Sequence, residues 1–252
     1  MATRATTISQ KCKKGEKINK DMKKIMFDDR YGLTKAVLEG RKTMTRRIVK
    51  EMAGREYKKL PQIQEDCNDG SFLVFKDADD LEPIIFYPKY KVGEVVAVAQ
   101  SYLSIHNEMM DDSFVEGYED AIYDPFRWAI VDDKPGWSNK MFVSAYLMPH
   151  QIRITNVRIE RLKDISDEDC IREGIEEDSP YYWVPVNKSL PNWRKIEEGV
   201  SDMYPNDRDG KVYPHFWDSP RKAFAALIDK VSGRGTWADN PWVYVYEFEL
   251  VK

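Results

Sequence analysis

The side chains best suited to bind a ligand or catalyse a reaction are clustered in residues 41–47. Directly behind a glycine they supply four cations and two hydroxyls: Arg41, Lys42, Arg46, Arg47, Thr43 and Thr45. Such a cluster suits an anion, either a phosphate or a carboxylate, or a polarised carbonyl group. A solvated basic turn is the alternative interpretation of the same residues.

The residues before this segment predict how it is presented. Apolar residues at helical spacing precede it, and Gly40 lies where a helix commonly ends in the left-handed conformation. In an extended chain, Thr45 and Arg47 would share one side while Lys42 and Arg46 share the other. A turn just after the glycine would bring Lys42 round to the threonine side.

Residues 40–47 resemble the signature of the ASCH domain family, a relative of the RNA-binding PUA fold. Residues 90–98, 154–166 and 240–248 resemble further segments of that family, in the same order. The last of these is similar to the closing strand of the larger, phage-associated members. Four motifs in order are more specific than any one of them. The resemblance spans about residues 22–252, and it implies a PUA-like mixed β-barrel.

The resemblance also implies a set of catalytic residues. The smallest members of the family include amidohydrolases that remove the acyl group from N4-acetylcytidine, using a lysine, a threonine and a glutamate. Lys42 and Thr45 match the first two, and the spacing after Ser166 places the glutamate at Glu173. Arg47 matches a supporting arginine of the same motif.

These residue types form a coherent catalytic set. A threonine hydroxyl is a poor nucleophile unless a base takes its proton, and neighbouring arginines favour the neutral form of Lys42, which could be that base. Glu173 could orient Lys42 or protonate the leaving amine, and Arg47 could stabilise an oxyanion. The same residues would equally serve a pocket that only binds a nucleotide.

The remaining motif residues are candidate ligand contacts: Gly40, Arg41, Arg46 and Arg47. Two segments depart from the larger family members. Ala99-Gln100 stands where those often carry an Arg-Glu pair, and residues 141–147 lack both arginines of a common segment. We therefore expect a neutral base or nucleoside, stacked on an aromatic residue such as Tyr102, in preference to an anionic polynucleotide.

Composition narrows the class of protein. A chain of 252 residues, 42% of them hydrophobic, can bury a core, and we expect a single domain over residues 22–252. A net charge of −4 argues against a broad basic face for DNA but leaves a small, locally basic RNA or nucleotide pocket open. Without an apolar run of membrane-spanning length or a signal peptide, we expect a cytoplasmic protein.

We expect neither a metal nor a cofactor. The three cysteines, Cys12, Cys67 and Cys170, are far apart, and the three histidines are isolated. The Gly-Arg-Gly sequence at residues 233–235 follows a predicted helix, whereas a dinucleotide-binding loop follows a strand.

Short strands and short helices predict an α+β fold and argue against a Rossmann sheet. We expect residues 1–21 to be a disordered basic tail, with two loop-rich insertions near residues 106–140 and 176–212. Broken alternation at Asn156-Val157 predicts a β-bulge, while Ser166 and Ser219 are predicted helix N-caps.

Three functions remain open at the level of the sequence. The first is binding of RNA or a modified nucleoside, the second is metal-independent hydrolysis of an N4-acylated cytidine, and the third is binding of a protein through the insertions. Lys42, Thr45 and Glu173 within hydrogen-bond reach would favour hydrolysis. An open basic groove flanked by aromatic residues would favour RNA, and an exposed apolar patch on the insertions would favour a protein partner.

Overall fold

The structure, a computed structural model, describes residues 22–50, 63–66, 73–76, 84–111, 135–178, 180–201 and 216–251. Its strands are β1 (Lys24–Ile25), β2 (Met44–Ile48), β3 (Ile63–Asp66), β4 (Leu73–Lys76), β5 (Ile84–Phe86), β6 (Val95–Val98), β7 (Gln151–Arg161), β8 (Glu176–Asp178), β9 (Tyr181–Trp183) and β10 (Trp242–Val251). Its α-helices are α1 (Leu33–Leu38), α2 (Tyr102–Asp111), α3 (Asp167–Arg172), α4 (Trp193–Ser201), α5 (Pro220–Ser232) and α6 (Thr236–Asp239). The predicted α+β class is confirmed.

The largest sheet has five strands in the order β1-β6-β7-β10-β2. β1 runs parallel to β6, and the other neighbours are antiparallel. Strands β3, β4 and β5 form a second, antiparallel sheet, and β8 and β9 form a hairpin. Among the described residues, β1 and β2 end the five-stranded sheet, and no closed barrel is present.

The long pair β7–β10 forms the centre of this sheet. Residues Ile152 and Ile154 are buried at alternate positions of β7, and the buried side resumes at Val157. The register shifts between Glu247 and Phe248, which leaves one extra residue on β7 beside Asn156. The predicted β-bulge is confirmed, and it restores the apolar side of β7 to the core after the break in alternation.

Two predicted helix starts are confirmed. The Ser166 side chain accepts a hydrogen bond from the Asp169 amide at the start of α3. The Ser219 side chain accepts one from the Lys222 amide at the start of α5, where Pro220 occupies the first turn. Both hydroxyls pair with amides that the helix itself leaves without a partner. The cap of α3 matters most here, because this helix leads directly into Glu173.

The main hydrophobic core lies between the five-stranded sheet and the helices. Strand β10 is buried from Val243 to Tyr246 and again at Phe248, and α5 contributes Phe224 and Leu227. A smaller cluster of buried residues gathers separately around α2: Ala97, Ala99, Ile105, Val143 and Met148. The candidate site is built at the edge of the main core, where β2 ends the sheet.

The predicted insertions are only partly loop. Helix α2 extends into the first, of which residues 112–134 lie outside the described part of the chain. The second opens with the β8–β9 hairpin and helix α4, so the loop-rich expectation is wrong for that stretch; residues 202–215 again lie outside the description. The predicted tail, residues 1–21, is also outside it.

In the described part of the chain, no helix has the length and apolar character needed to cross a membrane.

Candidate functional site

A tight turn delivers the basic motif to the edge of the sheet. Helix α1 ends at Leu38, and Gly40 has a φ of 74°, the left-handed conformation predicted for it. The amides of Arg41 and Lys42 then both donate to the carbonyl of Ala36, at 2.9 and 3.0 Å. This folds the chain back at the predicted turn before β2 begins.

Lys42 and Glu173, 131 residues apart in the chain, form a buried ion pair. The Lys42 ammonium donates to Glu173 Oε2 at 2.6 Å and to the Glu173 backbone carbonyl at 2.7 Å. Only 2% of Lys42 and 4% of Glu173 are exposed. Glu173 caps the C-terminus of α3, and Gly174 after it has a φ of 104°, so the chain turns there and leaves the carboxylate facing β2.

Arg46 holds the other oxygen of the same carboxylate. Its Nη1 lies 3.0 Å from Glu173 Oε1, and its Nη2 lies 2.6 Å from Glu160 and 2.9 Å from Asp169. The side chain is fully buried. Arg46 was predicted to contact a ligand, but its guanidinium is already committed to three carboxylates.

These pairs belong to a larger network on one face of the sheet, between β2, β7, β10 and α3. It joins four cations to four carboxylates: Lys42, Arg46, Arg158 and Arg172, with Glu160, Asp169, Glu173 and Glu247. The formal charges of the eight groups cancel. Lys42, Arg46 and Glu173 are buried, and the other five are partly exposed. Burial is tolerable because each charge has an opposite partner, and removing a buried member would leave another uncompensated.

Thr45 and Arg47 lie on the opposite face of β2. Thr45 is paired in register with Tyr246 of β10, and Arg47 with Tyr244, so these side chains share a face that Arg46 does not. Thr45 is buried. No hydrogen bond joins its hydroxyl to Lys42 or Glu173 within the described structure. Of the predicted triad, Lys42 and Glu173 are therefore in contact, and Thr45 is not.

Phe27 links Lys42 to the Thr45 face. The Lys42 ammonium lies 5.7 Å from the centre of the Phe27 ring, and the Arg47 guanidinium carbon lies 5.9 Å from the same centre. Arg47 also donates to the carbonyl of Met26. Two cations therefore flank one aromatic ring, within the range of cation–π attraction. Phe27 precedes the motif by more than a dozen residues, and no pattern in the sequence signals this contact.

The environment of Lys42 makes its ammonium easier to deprotonate than that of an exposed lysine. Burial lowers the pKa of Lys42 below its usual range and outweighs the opposing attraction of Glu173. The positive charges of Arg47 and Arg46 act in the same direction as burial. The opposite holds for Arg46, where the carboxylates outweigh burial and raise the pKa. A lysine with a lowered pKa is suited to accept a proton.

The other predicted ligand contacts are dispersed. Arg41 is partly exposed and pairs with Glu39 and Glu176 at 2.6 and 3.4 Å. Gly40 acts through its backbone turn. Tyr102 opens α2 and packs against the smaller core cluster, apart from the main cluster that contains Phe27.

The ion-pair network was not predicted, although one signal of it is visible in the sequence. Glu247 follows the apolar and aromatic run Trp242–Tyr246 of β10, and Arg158 and Glu160 stand two apart in β7. Charges at alternate positions of long strands share a face. What the sequence could not supply was the register that places β2 and β7 on either side of β10.

A second surface feature lies away from this site. A depression of about 350 Å³ is lined mainly by Met22, Lys24 and residues 141–146. Met141, Phe142 and Tyr146 there are exposed. Lys24 closes its base by donating to three backbone carbonyls of residues 140–143.

The described residues contain no group of three or more histidine, cysteine, aspartate or glutamate side chains arranged to hold a metal ion. No protein-family model, curated protein or solved structure matches this chain.

Proposed function

We propose that this chain is a cytoplasmic protein of the ASCH type, built on a PUA-like barrel, that binds a modified nucleoside beside Lys42 and Thr45. The observation that carries the proposal is the buried contact between Lys42 and Glu173, 2.6 Å across two distant segments. The resemblance implies this same pair as site residues. A buried charged pair of no benefit to function would be an expensive way to hold two segments together.

The charges around the site favour a small ligand without many negative charges. Arg46 is shared among three carboxylates, Lys42 is paired with Glu173, and Arg41 is paired with Glu39 and Glu176. Binding of a polyanion depends on cations that can neutralise phosphates. A neutral base needs only a few hydrogen bonds and an apolar or aromatic wall. Phe27 and Tyr246 are aromatic but are buried in the main core, so the site has to open before a base can contact them.

The binding proposal is tested by calorimetric titration with N4-acetylcytidine, cytidine and a short single-stranded RNA. We expect N4-acetylcytidine to bind best. The changes Lys42→Ala and Thr45→Ala should each weaken binding by about 1–2 kcal/mol. Arg153→Gln is the matched control. Arg153 on β7 forms an exposed ion pair with Glu249 on β10, so its replacement should leave affinity unchanged. Absence of heat with all three ligands, or equal affinity in all variants, would contradict the proposal.

Hydrolysis of the acyl group is the second candidate function, and the lowered pKa of Lys42 favours it. Thr45 Oγ would attack the acyl carbon while its proton passes to the Lys42 amine. The C–N bond then breaks, the amine leaves with a proton, and water releases the acyl group from Thr45. This route requires Thr45 and Lys42 to approach each other when the substrate is bound.

A pair of matched variants separates hydrolysis from binding. Thr45→Ser keeps a hydroxyl and should retain part of the turnover of N4-acetylcytidine, whereas Thr45→Val keeps the branched shape and should abolish it. If Thr45 is the nucleophile, affinity for the substrate should change little in either variant, since a nucleophile acts mainly in the transition state; the loss of about 1–2 kcal/mol applies to a site that only binds. Product release measured by chromatography decides the matter. Equal turnover by both variants would exclude Thr45 as the nucleophile.

A further inference from the structure

Glu173 presents its two carboxylate oxygens to two different cations. Oε1 is held by Arg46 Nη1 at 3.0 Å, and Oε2 is held by the Lys42 ammonium at 2.6 Å. Whichever oxygen Arg46 holds, the other is left for Lys42. The orientation of the carboxylate at the candidate site is therefore set from the side that faces away from the proposed ligand.

Arg46 is itself fixed on every donor side. Its Nε and Nη2 donate to Glu160 Oε1 at 3.0 and 2.6 Å, its Nη2 also donates to Asp169 at 2.9 Å, and its Nη1 approaches the sulfur of Met44 at 3.2 Å. The planar guanidinium can bind several acceptors in one plane, which a lysine ammonium on a flexible stem cannot. A guanidinium whose N–H groups are held by protein acceptors in this way has no donor left for a ligand.

We propose that Arg46 is a positioning residue for the Lys42–Glu173 pair, holding one oxygen of Glu173 so that the other faces Lys42. This inference rests on the proposed function, because it gives the pair its role at the site. Arg46 acts through Glu173 and not by touching the ligand. The resemblance implies catalytic roles for other residues of the motif, and Arg46 was expected only to contact a ligand.

The charges that face Lys42 make its titration a sensitive readout of this arrangement. Glu173 attracts a proton to Lys42, whereas Arg46 and Arg47 repel it. If Arg46 were only a distant positive charge, replacing it by lysine would leave the titration of Lys42 unchanged. If it positions Glu173, the same charge-conserving change should alter the titration, because the carboxylate is no longer held.

The test is a double-mutant cycle on the full chain. In each variant the titration midpoint of the Lys42 side chain is measured by NMR with ¹³C-labelled lysine. We expect Arg46→Lys to move the titration midpoint by at least about half a pH unit, roughly threefold in proton affinity. In a Glu173→Gln background the same change should have almost no further effect, since Arg46 acts through that carboxylate. The control Arg153→Lys should leave the midpoint in place.

Two results would overturn the positioning role. One is an unchanged midpoint in Arg46→Lys, and the other is an equal shift with and without the Glu173 carboxylate. If Arg46→Lys does not fold, Glu160→Asp replaces it in the cycle, because it shortens the side chain that holds Arg46 Nε and Nη2 while both residues keep their charges. Its effect should likewise vanish in the Glu173→Gln background, and a persistent effect would refute the role.

Failure of the proposed function is distinguishable from failure of this inference. The titration needs no ligand, so a chain that ignores N4-acetylcytidine but shows the coupling loses the proposed function and keeps the positioning of Glu173. A chain that binds N4-acetylcytidine without the coupling keeps the function and loses the role of Arg46.

Discussion

Lys42 and Glu173 are the residues on which both function and stability converge. Each is almost fully buried, and each has a charged partner within 3 Å. A buried pair of this kind adds little net stability against an apolar replacement, yet the loss of one member alone leaves a buried charge unpaired. Replacing one member of this pair is therefore the most sensitive stability test of the site.

We expect Glu173→Gln to destabilise the folded chain by about 3–5 kcal/mol, because Lys42 and Arg46 both lose a carboxylate in a buried place. Glu249→Gln makes the same chemical change in an exposed pair with Arg153 and should cost less than about 1 kcal/mol. Urea unfolding followed by fluorescence gives both values. Similar costs for the two variants would show that the Glu173 network is not buried as described.

Thr45 should behave differently from its neighbours. Its hydroxyl makes no hydrogen bond to Lys42 or Glu173 in the described structure, so Thr45→Val should change the free energy of unfolding far less than Glu173→Gln does. A variant that is stable but inactive would mark a side chain retained for function. A loss above about 2 kcal/mol, measured by the same urea titration, would instead indicate a buried hydroxyl with a structural partner.

At the scale of elements, helix α3 carries Glu173, Asp169 and Arg172 to the sheet. Its first turn is acidic and its N-terminus is capped by Ser166, which suits the positive end of the helix dipole. With only six residues between its caps, the helix depends on these local contacts and on the network for its position.

Removing the caps of two helices separates local stability from the site. Ser166→Ala and Ser219→Ala each delete a side-chain cap and should each cost about 1 kcal/mol. Only Ser166→Ala should shift the titration of Lys42, because only α3 leads into Glu173. An equal shift in both variants, seen by the same NMR titration, would mean that the site responds to overall stability and not to α3.

The elements that depend on local sequence were predictable. The hydroxyls of Ser166 and Ser219 predicted two helix N-caps, and the lack of a side chain at Gly40 predicted a left-handed turn. The broken alternation at Asn156 predicted the β-bulge. The site was predictable only in part. Lys42 and Glu173 were predicted from the resemblance. Arg46 was instead predicted to contact a ligand. Its three carboxylate partners lie on β7 and at α3, and only the tertiary fold brings these elements to β2.

At the scale of the whole molecule, the smaller core cluster and the depression near Lys24 lie outside the proposed site. Exposed Met141, Phe142 and Tyr146 border the first predicted insertion and form an apolar surface outside the proposed site. A ligand that prefers this surface would change the account, so the position of binding is as informative as its strength.

The main core also determines behaviour at high pH. Burial raises the pKa of Tyr90 and of Tyr246 to about 12, against an ordinary value of 10.0. Each folded-state pKa lies above the unfolded value, so their contribution to stability is complete below pH 10.0 and is lost as the pH rises towards about 12. We expect the free energy of unfolding to fall steeply across that window.

Tyr246→Phe should make this fall shallower, because it removes one of the groups that titrate there. It also deletes the hydroxyl that accepts a hydrogen bond from the Lys89 amide at 3.1 Å, so its stability at neutral pH should drop slightly. Urea unfolding at several pH values gives the slope of the free energy of unfolding against pH for each protein. An identical slope in the variant would show that Tyr246 does not titrate with folding.

The most direct test of the proposed function is to map where N4-acetylcytidine binds, by amide NMR shifts on the full chain. We predict the largest shifts at Thr45 and Arg47, on one face of β2, and at Phe27, whose ring centre lies 5.7 Å from the Lys42 ammonium. Shifts confined to residues 141–146, or no shifts at all, would contradict a nucleoside site beside Lys42 and Thr45.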